Sequence, residues 1–220
     1  MKDTLITLSN VKKNYGSQRV LKNINLSISS GKIYVIMGPS GTGKSTLLNI
    51  ISMIEPQSDG EYLWKGKSVN DINVGEKALI RRTKLGIIFQ EFNLFEELTA
   101  YENLDIYLKL TTKFDDKERN NMILTQVDKL GISPILNKRV KFLSGGERQR
   151  VTIARCYLNE TELILADEPS ANIDSDNKEI LISSFLQLRE SGKAILIVTH
   201  DDSYKSIADV VYNIKSGEIY

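Results

Sequence analysis

Ile33-Tyr34-Val35-Ile36-Met37-Gly38-Pro39-Ser40-Gly41-Thr42-Gly43-Lys44-Ser45 is the stretch that decides the fold of this chain. Its apolar run, Ile33 to Met37, lacks alternation and so predicts a strand buried on both faces. The run feeds Gly38 to Ser45, which fits G-x-x-x-x-G-K-[ST]. Leu47, Leu48, Ile50 and Ile51 then supply the apolar face of a helix ending before Pro56. In a strand, glycine loop and helix placed in this order, backbone N–H groups surround phosphates while Lys44 and Ser45 serve the terminal phosphate and Mg²⁺. Far downstream, Leu143-Ser144-Gly145-Gly146-Glu147 opens another helical pattern, whose first N–H groups and dipole would attract an anion. One nucleotide site rarely needs two glycine turns, and the pair points to nucleotide hydrolysis.

The flanking sequence reads as alternating strands and helices. Ile24, Leu26 and Ile28 alternate with Asn25, Ser27 and Ser29, the period of a half-buried strand. Ser58-Asp59-Gly60 and Gly66-Lys67 bracket Glu61-Tyr62-Leu63-Trp64, a short strand of an antiparallel edge in which Trp64 serves packing. After the strand Gly86-Ile87-Ile88-Phe89 the pattern turns helical. Thr99-Ala100-Tyr101-Glu102 is a capping box before Leu104, Tyr107 and Leu108. Ile123, Val127 and Leu130 mark a second helix that stops at Gly131, and Val151, Ala154 and Leu158 mark a third. Strands return with Leu163-Ile164-Leu165-Ala166, which ends in Asp167-Glu168. A helix carrying Leu181, Phe185 and Leu188 leads to Ala194-Ile195-Leu196-Ile197-Val198, which ends in Thr199-His200. This alternation predicts an α/β fold with a mainly parallel sheet covered on both faces. A single domain over 1–220 is expected, with a core subdomain at 1–90 and 160–220 and a helical subdomain at 91–159.

The 220 residues carry 29 Lys and Arg against 28 Asp and Glu, a net charge of +1, so no broad field favours nucleic acid or acidic membranes. Arg148, Arg150 and Arg155 are expected on a solvated helix face. Cys156, the one cysteine, excludes an internal disulfide and is expected as a small buried apolar residue. The longest apolar runs fall far short of the roughly 20 residues that cross a bilayer. Leu5-Ile6-Thr7-Leu8 is too short for a signal-peptide core. The expected location is therefore the cytoplasm.

Over essentially its whole length the chain resembles the ABC-type ATPase subunits, a branch of the P-loop NTPases. All of that family's motifs occur here in the family's order. The resemblance rests above all on Leu143-Ser144-Gly145-Gly146-Glu147, which is similar to the ABC signature with Glu where many members have Gln. It implies a parallel sheet core, an antiparallel β edge and a helical subdomain. It further implies ATP as ligand, held by Gly38, Pro39, Ser40, Gly41, Thr42, Gly43, Lys44, Ser45 and Thr46, with Tyr15 stacked on adenine. Gln90 would occupy the Q-loop, Asp167 would end the Walker B strand, Ser170 to Asp174 would form the D-loop, and His200 would be the switch histidine. Mg²⁺ prefers oxygen ligands and keeps several waters, which suits Ser45, the Gln90 amide oxygen and Asp167. Phosphoryl transfer needs a positioned water and charge stabilisation, which assigns Glu168 as general base and Lys44 and His200 as γ-phosphate contacts. In the family the signature turn, Ser144, Gly145, Gly146 and Glu147, serves ATP held by the opposite subunit, so a head-to-tail, ATP-dependent homodimer is implied.

Within the family the chain is most similar to the branch serving lipoprotein release, macrolide efflux and bacteriocin export. Phe89 through Asn103 carries much of the likeness, and Ala166-Asp167-Glu168-Pro169-Ser170-Ala171-Asn172-Ile173-Asp174 departs from the branch's A-D-E-P-T-G-N-L-D at Ser170, Ala171 and Ile173. The implied partner is a separate integral-membrane permease, holding the subunit against the inner face of the membrane. Phe92, Leu94, Phe95 and Leu98 are candidates both for that contact and for the helical core. The alternative function is a non-transport ABC ATPase of cell-division type. No nucleic-acid partner is expected, because neither a second cassette nor a zinc or coiled-coil insertion is present.

Overall fold

The computed structural model describes residues 3–171 and 173–220; Asn172 of the expected D-loop lies outside the described residues. The chain opens with a long hairpin of β1 (Thr4–Tyr15) and β2 (Gln18–Ser29), followed by β3 (Ile33–Met37) and α1 (Lys44–Ile51). β4 (Asp59–Trp64), β5 (Lys67–Ser68), α2 (Val74–Lys84) and β6 (Leu85–Ile88) come next, then the helices α3 (Ala100–Thr111), α4 (Asp116–Lys129) and α5 (Gly145–Tyr157). β7 (Leu163–Asp167), α6 (Ser175–Glu190), β8 (Ala194–Thr199), β9 (Val210–Lys215) and β10 (Glu218–Ile219) complete the order.

The strands form one sheet in the order β5-β4-β1-β2-β10-β9-β3-β8-β7-β6. β9, β3, β8, β7 and β6 pair in parallel, whereas β1 pairs antiparallel with both β2 and β4. The expected parallel core and antiparallel edge are both present. All five residues of β3 are buried, and its alternate residues enter different cores. Ile33, Val35 and Met37 join one cluster with residues of α3, α4, α5 and α6; Tyr34 and Ile36 join another with α1, β1, β2 and β4. An unbroken apolar run therefore satisfies both faces at once, which is why alternation is missing. Among the described residues no helix is long and apolar enough to cross a membrane.

β1 and α2 are among the elements that the sequence pattern did not assign. β1 breaks its alternation at shifts of register against β2, including the one between Leu8 and Val11. α2 buries no residue fully, only Ile80 packing against the core in part; a capping box holds its start, with Glu76 N–H donating to Asn73 at 2.9 Å. The box at Thr99 and Glu102 formed as expected, with Thr99 N–H donating to the Glu102 carboxylate at 2.7 Å.

The turn after β8 is fixed to its surroundings by Asp201. Its carboxylate lies 2.5 Å from Lys178 Nζ on α6 and accepts from Ser170 Oγ at 3.2 Å and from the Ser203 N–H at 3.0 Å. Burial opposes this charge, but the Lys178 and Ser203 bonds outweigh it and hold the carboxyl down at about 2. A depressed carboxyl adds stability above its unfolded value, and that stability is lost as pH falls through the folded one. Asp201→Asn is thus expected to lower the melting temperature at neutral pH. Thermal melts should show the difference from wild type shrinking as pH drops below 3.8 towards about 2.

Candidate functional site

β3 ends against α1 with only the glycine loop between them. Gly43 caps α1 at φ 101° and supplies no side-chain bond, so the first helical N–H groups stay open to an anion. A side chain at Gly43 is barred twice, by that φ and by Leu21, whose Cδ2 would lie 2.7 Å from an added Cβ. Lys44 is 6% exposed; its Nζ donates to the Pro39 carbonyl at 3.0 Å and also to that of Gly38. Within the loop, Thr42 Oγ1 donates to the Pro39 carbonyl at 2.9 Å.

A cavity of about 340 Å³ lies over this loop, lined by Ser40, Gly41, Gly43, Lys44, Ser45, Thr46, Val20, Gln90, Asp167 and Glu168. It brings together most of the sequence-predicted phosphate and metal residues. The Ser45 hydroxyl, the Gln90 amide oxygen and the Asp167 carboxylate are hard oxygen donors, a set that suits a small divalent cation sharing its shell with water and phosphate. Burial raises the Asp167 carboxyl above its ordinary value and neighbouring Glu168 adds to this, while a Ser45 hydrogen bond and the Lys44 charge oppose it. A cation there would favour the ionised form.

Glu168 adopts φ 43°, an uncommon backbone for a residue with a side chain, and its N–H donates to the Val198 carbonyl at 2.9 Å. This turns its carboxylate across the end of β8. There it accepts from Thr199 Oγ1 at 2.9 Å and His200 N–H at 3.3 Å, with His200 Nδ1 at 3.0 Å and Lys44 Nζ at 3.5 Å. Burial works against the charge, yet the His200 and Thr199 bonds win and hold the carboxyl below its ordinary value. His200 is thereby oriented through Nδ1, with 69% of its side chain exposed. Sequence reasoning missed Thr199. It is fully buried, bonded to Glu168, and accepts from the Asp201 N–H at 3.0 Å. Its only signal was its position just before His200.

Tyr15 ends β1 and is 46% exposed, and its hydroxyl lies beside Thr46 of the cavity wall. The signature turn is elsewhere: none of Ser144, Gly145, Gly146 or Glu147 lines the cavity. Ser144 caps α5 in a reciprocal box, its Oγ accepting from Glu147 N–H at 3.2 Å while its own N–H donates to the Glu147 carboxylate at 2.7 Å. Glu147 therefore has a local structural task. Gly146 is required by packing, since an added Cβ would lie 2.0 Å from Asn177 Cγ. Asn177 in turn donates to the Asp174 carboxylate at 2.9 Å and accepts from Arg150. The start of α6, with Asp174, is thus fastened to the signature helix.

The three arginines are not on a solvated face. Each is half-buried: Arg148 donates to Leu143 O and pairs with Glu96, Arg150 donates to Asn177, and Arg155 donates to Asn93 O and lies over the Tyr107 ring. Their guanidinium groups bind backbone and amides of other segments, which charge patterning alone does not show. Cys156 is buried as expected, and burial pushes its thiol up to about 12. The four candidate docking residues divide. Phe95 is 57% exposed and Leu94 packs against the core, with Phe92 and Leu98 half-buried. Buried Asn103 holds the Phe95 backbone from both sides, accepting from its N–H at 2.8 Å and donating to its carbonyl at 3.0 Å.

The family model described as ABC transporter matches residues 21–171. The macrolide export ATP-binding/permease protein of Campylobacter jejuni is 40% identical over 215 residues, covering 98% of this chain and 33% of that protein. The chain thus spans about a third of the length of such relatives. The lipoprotein-releasing system ATP-binding protein of Aquifex aeolicus is 38% identical over 98% of this chain and 96% of its own length. Two solved structures superpose with TM-scores of 0.89, each covering 98% of this chain and 96% of the other. One is a dimeric bacterial ABC transporter cassette at 37% identity, the other a dimeric post-hydrolysis cassette bound to ADP and Pi at 36%. Motif order, sheet topology and these likenesses agree, and the chain belongs to the ABC transporter family.

Proposed function

We propose that this chain binds and hydrolyses ATP as one of two head-to-tail copies that power a separate membrane permease. One observation carries the reading: the glycine-loop cavity gathers Lys44, Ser45, Gln90, Asp167 and Glu168, while the signature turn of the same chain lies outside it. A second copy would bring its own Ser144 turn to that cavity. The N–H groups at the start of its α5 would face the γ-phosphate, as the dipole of a helix N-terminus favours. The dimeric form of the solved relatives supports this arrangement.

In this reading the glycine-loop residues, Gly38 to Gly43 with Lys44, Ser45 and Thr46, hold the phosphates, and the Lys44 charge offsets theirs. Ser45, Gln90 and Asp167 would hold Mg²⁺, which when bound neutralises charge developing on the phosphate oxygens. Glu168, kept ionised by Thr199 and His200, orients the attacking water and takes its proton. The exposed edge of His200 faces the transferred phosphoryl group. Because Asn177 joins Asp174 to the signature helix, both elements would reach the partner's nucleotide as one unit.

Relatives named for macrolide export and lipoprotein release favour a permease partner and a peptide, lipoprotein or drug as cargo, with the subunit peripheral on the inner membrane face. Phe95 suits that contact because its ring is exposed on a backbone fixed by Asn103. The core and helical subdomains at 1–90 with 160–220 and 91–159 would then be the two surfaces between which coupling runs.

Glu168→Gln is expected to lower kcat by about 10²- to 10⁴-fold and to elute as an ATP-dependent dimer in size-exclusion chromatography. Turnover at the wild-type rate would remove Glu168 from the mechanism. In that background, Ser144→Arg should retain ATP binding and lose the dimer; persistence of the dimer would overturn completion by a second copy. Phe95→Glu should leave ATP hydrolysis by the isolated subunit intact and abolish substrate movement in membranes containing the permease. Unimpaired transport would exclude Phe95 from the contact.

A further inference from the structure

Lys13 and Glu55 lie beside the glycine-loop site without a role in the chemistry above. Lys13 is only 8% exposed, unusual for an amine on a strand with a solvated face. Its Nζ donates to the Pro56 carbonyl at 2.8 Å, sits 3.4 Å from Glu55 Oε2 and lies 5.0 Å from the Tyr15 ring centroid. Glu55 Oε2 in turn accepts from the Tyr15 hydroxyl. That bond raises the Tyr15 phenol and lowers the Glu55 carboxyl from their ordinary values, so the pair is a protonated donor on an ionised acceptor.

The anchor point belongs to the phosphate-binding helix. Glu55 N–H donates to the Asn49 carbonyl of α1 at 3.1 Å, so Glu55 is folded back on the helix that Lys44 begins. Two more bonds fasten the strand carrying Tyr15 to the same loop: Asn14 N–H donates to Ser58 Oγ at 3.0 Å and Ser58 N–H donates to the Lys12 carbonyl at 2.8 Å. The Tyr15 side chain is thus held at its tip by Glu55 and flanked by the Lys13 ammonium, while the residue remains 46% exposed.

We propose that Glu55 and Lys13 are positioning residues that clamp the Tyr15 ring in one orientation relative to the glycine loop, preorganising it as the platform for the adenine base. This rests on the reading of Tyr15 as the stacking residue. A ring free to turn about its side-chain bonds must be immobilised when the base arrives, whereas a clamped ring has lost that freedom on folding. The ionised Glu55 is itself held by Lys13, so the acceptor does not swing into solvent. Binding of the base should therefore depend on residues that never touch the nucleotide, and binding of the phosphates alone should not.

The test measures dissociation constants for ATP and for inorganic tripolyphosphate by displacement of a fluorescent nucleotide, together with KM and kcat. Glu55→Ala and Tyr15→Phe should each weaken ATP by about 3- to 10-fold. The double variant should be no worse than either single one, and Glu55→Gln, which keeps an acceptor, should recover part of the loss. In the Glu55 variants tripolyphosphate affinity and kcat at saturating ATP should stay unchanged. Additive losses in the double variant, equal weakening of tripolyphosphate, or unaltered ATP affinity in Glu55→Ala would each overturn the clamp. Tyr15→Ala separates the two levels. If it weakens ATP while Glu55→Ala does not, the platform stands and the clamp falls; if it leaves ATP affinity unaltered, the platform reading falls and takes the clamp with it.

Discussion

The register of four neighbouring parallel strands is the constraint from which the site follows. Met37 pairs with Thr199 across β3 and β8, Asp167 pairs with Val198 across β8 and β7, and Ala166 pairs with Ile88 across β7 and β6. The residues that follow these strand ends, Gly38, His200 and Glu168 directly and Gln90 two beyond Ile88, therefore emerge along one edge. Parallel strands share a direction, so their carboxyl ends collect on one side and open a crevice there. A slip of one residue would exchange the buried faces of each strand, and the two cores on either side of β3 forbid it.

At that edge the structure tolerates local cost. Glu168 keeps a positive φ, and two carboxylates stand side by side with one lysine between them and the phosphate loop. Their environments separate them: Asp167 is raised chiefly by burial, and Glu168 is lowered by the bonds from His200 and Thr199 despite its burial. A metal-side group and a base-side group can thus differ in ionisation behaviour although they are adjacent in sequence. Thr199 is central to this difference, because its hydroxyl serves Glu168 and its position is locked inside the sheet.

The signature turn is ordered by its own chain, whatever lies opposite it. The reciprocal bonds of Ser144 and Glu147 set the start of α5, and the close approach of Gly146 to Asn177 sets its distance from α6. Such an arrangement presents a preformed surface, in contrast to a loop that must order on contact. Arg148, Arg150 and Arg155 extend the same logic by joining α5 to the segments around Glu96, Asn177 and Asn93.

Much of this was legible in the sequence, because local chemistry dictated it. An unalternating apolar run as short as Ile33 to Met37 fits a strand buried on both sides, and a glycine loop of this pattern between such a strand and an apolar-faced helix fits a phosphate turn. Strand termini at Gln90, Asp167 and His200 were equally plain, since their apolar runs end abruptly in polar groups. β1 and α2 were among those that escaped, the first because register shifts break its period, the second because none of its residues is fully buried. The partners of the three arginines, the task of Thr199 and the hold of Glu55 and Lys13 on Tyr15 were decided only by tertiary structure. Each joins residues far apart in the chain, and a side chain's partner across such a distance is chosen by how the layers pack, which no local pattern encodes.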